Sequence, residues 1–190
     1  MTRAPILATL PAGTNHDFVA RRHAAARGWA PEPLACASPR AALDAVLAGR
    51  ADFALVCAAH PDAPALPAEF HKRLQVVDAF VSASKPLALV SRAQIAKPFS
   101  VGLFVATLGL ADLRHWRETV IEREGTIADV ETRLTKGAYD SALVYRDFLD
   151  RVPGYRLEAE IDSPDDAWIV FGLPRVKSGS TARSPGASPP

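Results

Sequence analysis

Cysteine is nearly absent from the 190-residue chain, with Cys36 and Cys57 the two copies and no Cys-x-x-Cys pair. A disulfide framework does not fit that count, whereas two thiols in apolar, strand-like runs suit reduced, buried side chains of a cytoplasmic protein. Net charge is equally scarce: 22 basic and 21 acidic residues leave +1. With no basic stripe interleaved with aromatics, the electrostatic footprint of a nucleic-acid binder is missing. No stretch approaches the roughly 20 apolar residues of a membrane span. The N-terminus carries one arginine and too short an apolar run for a secretory leader. The expectation is a cytoplasmic protein with neither nucleic-acid nor membrane partners. Catalytic signatures are missing too: there is no Gly-x-Ser-x-Gly elbow and no P-loop. His16, His23, His60, His71 and His115 have no ligand spacing with cysteine or carboxylate, so no metal and no cofactor are expected.

What the chain does have is apolar residue, 48 % of the total. That is ample for a core, over a length that suits one domain or two small lobes. The first part alternates strand and helix. Ile6 to Leu10 is a short apolar strand, and Phe18, Val19, Arg22, Ala25 and Ala26 give helical spacing from about Asn15 to Arg27, with Gly28 as the stop. Leu34 to Ala37 is a short strand. Ser38 followed by Pro39 is a strong helix start for the run ending at Gly49, and Asp52 to Ala58 is apolar throughout, as in a strand buried on both faces. This βαβαβ order calls for a parallel sheet with helices on its faces.

Beyond it, His60 to Pro67 is a proline- and alanine-rich loop. Leu74 to Ser82 and Pro86 to Arg92 are two long strands suited to carry the chain from one lobe to another. Ser100 to Val105 is a strand, and Thr107 caps a helix reaching about Thr119. Val120 to Glu122 and Tyr139 to Tyr145 are strands around a helix at Thr126 to Lys136, and Tyr155 to Ile161 and Ala167 to Phe171 close the fold. From Lys177 to Pro190 the composition is that of a flexible tail.

Residues 42–57, ALDAVLAGRADFALVC, match residues 130–145, VETRLTKGAYDSALVY. Gly49 meets Gly137, Asp52 meets Asp140, and Ala54, Leu55 and Val56 meet Ala142, Leu143 and Val144, while Ser38 and Thr126 stand at the two caps. Capped helix, glycine, aspartate and buried strand recur in one order, the mark of a duplication. Two matching α/β lobes joined by crossing strands enclose a cleft, where small ligands bind beyond the carboxyl ends of the strands. The expected division is 1–82 with 160–176 as one lobe, 83–159 as the other, and 177–190 as the tail. In the first lobe the strand ends lead into Gly13 to His16, where a glycine turn passes into a helix. Unpaired N–H groups and the helix dipole favour an anion there, so Gly13, Thr14 and Asn15 are candidates to bind a small carboxylate. An ordinary cap by Thr14 or Asn15 is the plain alternative.

Three stretches, TLPAGTNHDFVARRH at 9–23, AALDAVLAGRADFALV at 41–56 and CAAHPD at 57–62, resemble the catalytic domain of the prephenate dehydratase family. That resemblance implies a two-lobed type II periplasmic-binding-protein-like α/β fold. The family opens with Gly-Pro-x-Gly-Thr; here Leu10 replaces the first glycine before Pro11, Ala12, Gly13 and Thr14. The family's late Thr-Arg-Phe motif, whose threonine acts in loss of the ring hydroxyl, is missing. Ala167 to Gly172 stand in its place. The chain also ends where a dehydratase would continue into a regulatory domain. Trp168, Phe171 and Gly172 fit the Trp-x-x-Phe-Gly ending of the short prephenate decarboxylases of bacilysin-type pathways.

The resemblance implies a cofactor-free lyase acting on prephenate or a similar cyclic dicarboxylate, by non-aromatising decarboxylation. The alternatives are dehydratase-like or isomerase chemistry on a related ring acid, and a binding or sensor protein that kept the cleft without the reaction. A dianionic ligand needs donors at two ends. Thr14, Asn15 and Thr107 can supply hydrogen bonds, and Lys85 and Arg146 are the candidate counter-charges. Each is otherwise a solvated surface cation. A decarboxylase needs a proton donor beside a ring carbon, for which His16 is the first candidate and His60 the second, since histidine titrates near neutral pH. The partner expected is a small-molecule carboxylate substrate, and a homo-oligomer is left open.

Overall fold

The computed structural model describes residues 3–162 and 165–174. The expected tail, 177–190, lies outside the described residues. The chain forms two five-stranded sheets. The first contains β1 (Leu7–Thr9), β2 (Leu34–Ala35), β3 (Phe53–Cys57), β4 (Gln75–Ala83) and β10 (Asp165–Gly172), in the order β2-β1-β3-β10-β4. The second contains β5 (Leu87–Arg92), β6 (Ser100–Phe104), β7 (Glu118–Glu122), β8 (Ser141–Tyr145) and β9 (Tyr155–Ile161), in the order β7-β6-β8-β5-β9. The sheets share one plan: three parallel strands, then an antiparallel pair. The chain crosses between them after β4 and again after β9.

Local sequence explains the helices. Thr14 caps α1 (Asn15–Arg27) by accepting the Asp17 N–H on its hydroxyl, and Gly28 ends it. Ser38 caps α2 (Pro39–Leu47) in the same way, with proline at the first turn. Thr126 and Asp129 form a reciprocal capping box at α4 (Ile127–Thr135). The short helices α3 (Leu66–Phe70) and α5 (Phe148–Arg151) complete the set among the described residues.

The internal repeat has a structural basis. Gly49 and Gly137 adopt φ of 69° and 87°, left-handed backbone that suits glycine. Each is followed by an aspartate that ties the strand after it to the middle one of the three parallel strands in its own sheet, β1 or β6. Asp52 accepts the Ile6 N–H at 2.7 Å, and Asp140 accepts the Phe99 N–H at 2.7 Å. Ile6 stands immediately before β1 and Phe99 immediately before β6. Apolar faces then close the core: Leu43, Val46, Val56 and Phe171 on one side of the first sheet, and Leu7, Val19, Leu55 and Trp168 on the other. Leu134, Leu143, Val144 and Phe148 lie in the second core. Burying one such side chain contributes about 1.5–3 kcal/mol.

Two expectations need correction. The helix from Thr107 to about Thr119 does not form. A single 3-10 turn, Val105–Thr107, is followed by irregular chain up to β7. Gly109 turns at φ 89°, and Asp112 takes up both the Arg114 N–H and its guanidinium, which favours a local turn over helix. The second sheet therefore has no described counterpart of α1. The stretch read as loop from His60 to Pro67 contains a 3-10 turn, Ala63–Ala65, and the start of α3. No described helix is long and apolar enough to cross a membrane.

Candidate functional site

The carboxyl ends of β1 and β3 in the first sheet, and of β6 and β8 in the second, converge on a cavity of about 140 Å³. Thr14, Asn15, His16, Cys57, His60 and Asp166 line it from the first unit, and Phe104, Thr107, Thr126, Ile127 and Tyr145 from the second. Ser84 and Lys85, in the crossover between β4 and β5, lie along one side.

Asn15 links all three parts. Its backbone N–H donates to the Tyr145 hydroxyl at 2.8 Å, its amide donates to Ser84 Oγ at 2.7 Å, and its Oδ1 accepts the Lys85 N–H at 2.9 Å. Ser84 in turn donates to Asp166 on β10. The first N–H groups of α1 are thus already engaged by the protein, Asn15 by Tyr145 and Asp17 by Thr14. The α4 end, Gly125 to Ile127, also faces the cavity.

The imidazoles are neutral acceptors. His16 is buried, its Nε2 accepts the Cys57 N–H at 3.1 Å, and its ring meets Trp168 edge-on. Burial, aided by nearby His60, pushes its pKa down to about 3. Imidazolium at His16 is therefore disfavoured, which weighs against the role of first-choice proton donor. His60 accepts the Asp62 N–H on Nδ1 at 3.2 Å, so a neutral ring keeps its proton on Nε2. Burial lowers its pKa as well, but Asp62 opposes the shift. Burial pushes the Cys57 thiol up to about 12, with Asp166 adding to the effect, so the thiol stays protonated and unreactive. Burial also raises the Tyr145 phenol, against the hydrogen bond from Asn15.

Thr14, Asn15, His16, His60, Lys85 and Thr107 therefore come together in one cavity. Gly13 and Arg146 do not line it; they border an adjoining groove with Asp17, Arg22 and Asp150. Gly13 contributes its carbonyl, which accepts from Lys85 Nζ at 3.1 Å. Arg146 pairs with Glu160 at 2.9 Å. Tyr145 ends β8 toward the cavity, and the next side chain along an extended chain points to the opposite face. Thr107 lines the wall, but its hydroxyl donates to the Phe104 carbonyl at 2.8 Å and caps no helix. Lys85 is not a free counter-charge. Nζ lies 2.9 Å from Asp147 and 4.3 Å from the centre of the Tyr145 ring. Burial pushes the Asp147 carboxyl up, but the hydrogen bond and charge of Lys85, with Arg151, hold it below its usual range. Ser84, Asp166 and Tyr145 escaped the sequence reading. The repeat offered one signal, since Tyr145 occupies the position of Cys57 at the cavity-facing end of its strand.

No protein-family model matches the sequence, and no curated protein does either. Solved structures match in fold. A prephenate dehydratase from Arthrobacter aurescens, in complex with L-Phe, superposes with a TM-score of 0.67 at 18 % identity, over 93 % of this chain and 62 % of that one. A quorum-quenching acylase, GqqA, gives 0.57 at 18 % identity, over 95 % and 67 %. The periplasmic domain of B. pertussis BvgS gives 0.51 at 11 % identity, over 93 % and 37 %. This chain thus spans somewhat under two thirds of the dehydratase. The likenesses and the strand order define the class: a two-lobed α/β protein of the type II periplasmic-binding-protein-like fold.

Proposed function

We propose that the cavity binds a small cyclic carboxylate, prephenate or a close relative, and removes carbon dioxide from it without making the ring aromatic. The observation that carries this reading is the pairing of Lys85 with Asp147. A carboxylate entering the cavity meets the backbone of Gly125 and Ile127 at the α4 end, where Thr126 is already bonded to Asp129, and an apolar wall of Leu87, Phe104 and Ile127. Lys85, the one lysine or arginine among the described lining residues, is already paired with Asp147. A carboxylate anchored by donors is retained; one pressed against the apolar wall is destabilised relative to neutral carbon dioxide. The bond from that carboxylate to the ring breaks, its electron pair enters the ring diene, and a proton reaches a ring carbon while the hydroxyl stays.

For the proton, His60 serves better than His16, because Asp62 partly offsets the burial of the His60 imidazolium. Of the described lining groups, His16, Cys57 and Tyr145 are displaced toward their neutral forms and are weak acids toward the ring hydroxyl, while His60 is assigned to the ring carbon. That opposes dehydration to an aromatic product. The fold likeness to a prephenate dehydratase supports a prephenate-related ligand.

Binding without turnover is the second reading, favoured by the capture of the α1 N–H groups and of Lys85 inside the protein. Incubation with prephenate, followed by ultraviolet absorbance and released carbon dioxide, separates the readings. Carbon dioxide with a non-aromatic product supports decarboxylation. Phenylpyruvate would replace it with dehydration, and calorimetric binding without turnover with a sensor. If prephenate neither binds nor reacts, the ligand assignment fails. With turnover in hand, His60→Asn should lower it by about 10²-fold or more, and His16→Asn should do so only through stability.

A further inference from the structure

Among the described residues that line the cavity, Asp166 is the one aspartate or glutamate. Its place follows from strand alternation. On β10, Asp166, Trp168 and Val170 share a face, and Trp168 and Val170 pack with Val19 of α1 and Leu55 of β3. β3 stops at Cys57, opposite Trp168. Asp166 therefore lies just past the end of β3, where the core opens into the cavity. It acts there as a negative charge, adding to the upward push on the Cys57 thiol. Lys85, the one lysine or arginine of the described lining, is paired with Asp147 instead.

Neighbouring groups set the direction of each proton. Asn15 Oδ1 accepts the Lys85 N–H at 2.9 Å, which turns the amide nitrogen to Ser84, where it donates at 2.7 Å. Ser84 Oγ thus accepts from Asn15 and donates its own proton to Asp166 Oδ2. Both bonds run toward the carboxylate, which is an acceptor with about four lone-pair sites. Ser84 leaves room on it for a ligand donor. We propose that Asp166 accepts a hydrogen bond from the ring hydroxyl of the ligand, and so selects hydroxylated ring acids. This role rests on the cavity taking a cyclic carboxylate that carries a hydroxyl. Like charge turns the carboxylates of such a ligand away from Asp166. A hydroxyl leaves as water only when its oxygen gains a proton, and a carboxylate has none to give. Departure as hydroxide would set a second negative charge against Asp166. During loss of carbon dioxide the electron pair of the breaking bond enters the ring and a ring carbon takes a proton. The carbon–oxygen bond stays, with its hydroxyl still donating to Asp166.

The test compares the wild type with Asp166→Asn, an amide of the same shape that still accepts from Ser84 but carries no charge and can donate. With prephenate as probe, the wild type should release carbon dioxide and leave a non-aromatic product. Asp166→Asn should still release carbon dioxide, but the share of aromatic phenylpyruvate should rise about tenfold or more, the scale of one hydrogen bond to a charged group. Asp166→Glu keeps the charge, and Ser84→Ala removes the orienting hydroxyl alone, so both should keep the product non-aromatic. A second readout needs no variant. By calorimetry the wild type should bind cis-4-hydroxycyclohexanecarboxylate about tenfold more tightly than cyclohexanecarboxylate, and Asp166→Asn should narrow that preference. Carbon dioxide release with one product ratio in wild type and Asp166→Asn, or equal binding of the two ring acids, overturns the role of Asp166 and leaves decarboxylation standing. Binding without carbon dioxide release removes decarboxylation, and the hydroxyl preference then decides the role of Asp166. A wild type that binds no ring acid overturns both.

Discussion

The Asn15 N–H donates to the Tyr145 hydroxyl at 2.8 Å, a bond between residues 130 positions apart in the chain. It fixes the N-terminus of α1 against the end of β8 and spans the cavity between the two units. Tyr145 is almost wholly buried, so Tyr145→Phe leaves an amide donor without its acceptor. The expected loss is about 1–3 kcal/mol of stability, the cost of an unsatisfied buried donor. Urea unfolding checks it, through a lower midpoint at unchanged slope. An unchanged midpoint would mean that the bond does not hold the units together.

The paired aspartates allow a sharper test. Asp52 and Asp140 each accept a backbone N–H from the residue before the middle parallel strand of their own sheet, β1 or β6. Asp140 also receives the Ser100 N–H at 3.4 Å, and Asp52 the exposed Arg3 guanidinium at 2.7 Å. Surface ion pairs are worth little, so the backbone bonds dominate. Asp52→Ala and Asp140→Ala should each cost about 1–3 kcal/mol. They share no partner, so the double variant should lose the sum to within about 0.5 kcal/mol. Thermal and urea unfolding of the three variants read this directly.

That repeat shows why much of the fold was legible. Cap, glycine, aspartate and apolar strand are local signals, and each does in the structure what its chemistry demands. α1 runs over the residues expected because Thr14 and Gly28 mark both ends. The misread stretch after Thr107 has apolar residues at helical spacing, but Gly109 and the Asp112–Arg114 turn decide its course. The site was legible only where it lies next to a glycine turn. Ser84, Asp166 and Tyr145 reach the cavity because two crossovers and β8 bring them there, a long-range fact that no local window contains. Arg146 was drawn in as a cation one residue beyond a strand end, yet it pairs with Glu160.

Burial of His16 predicts a pH dependence of stability. Its folded pKa, about 3, lies below the unfolded value near 6.5. The unfolded chain therefore binds a proton that the folded chain refuses. The stabilising contribution is complete above pH 6.5 and is lost progressively as pH falls toward 3. Over that window His16 should account for about 1.4 kcal/mol per pH unit. His60 and His23, whose values burial also lowers, act in the same direction. His16→Gln retains an acceptor for the Cys57 N–H but cannot titrate. Unfolding free energies between pH 7 and 4 should fall less steeply for this variant than for the wild type. Equal slopes would mean that His16 takes up its proton without unfolding.

The Lys85–Asp147 pair makes a prediction about ligand binding. Lys85 Nζ is held between Asp147 and the Gly13 carbonyl, at 2.9 and 3.1 Å. Its side chain is largely buried while Asp147 is about half exposed. Asp147→Asn removes the negative charge but keeps a hydrogen-bonding group of the same shape. Lys85 then carries an uncompensated charge at the wall of the cavity. An anionic ligand should bind more tightly, by about two- to fivefold, the scale of a partly solvated ion pair. If decarboxylation depends on leaving the reacting carboxylate without a counter-charge, the same substitution should lower turnover while it raises affinity. Calorimetry and carbon dioxide release on one preparation separate the two effects. Tighter binding with faster turnover would show that the carboxylate needs a cation to react, and would remove the basis for decarboxylation driven by an apolar wall.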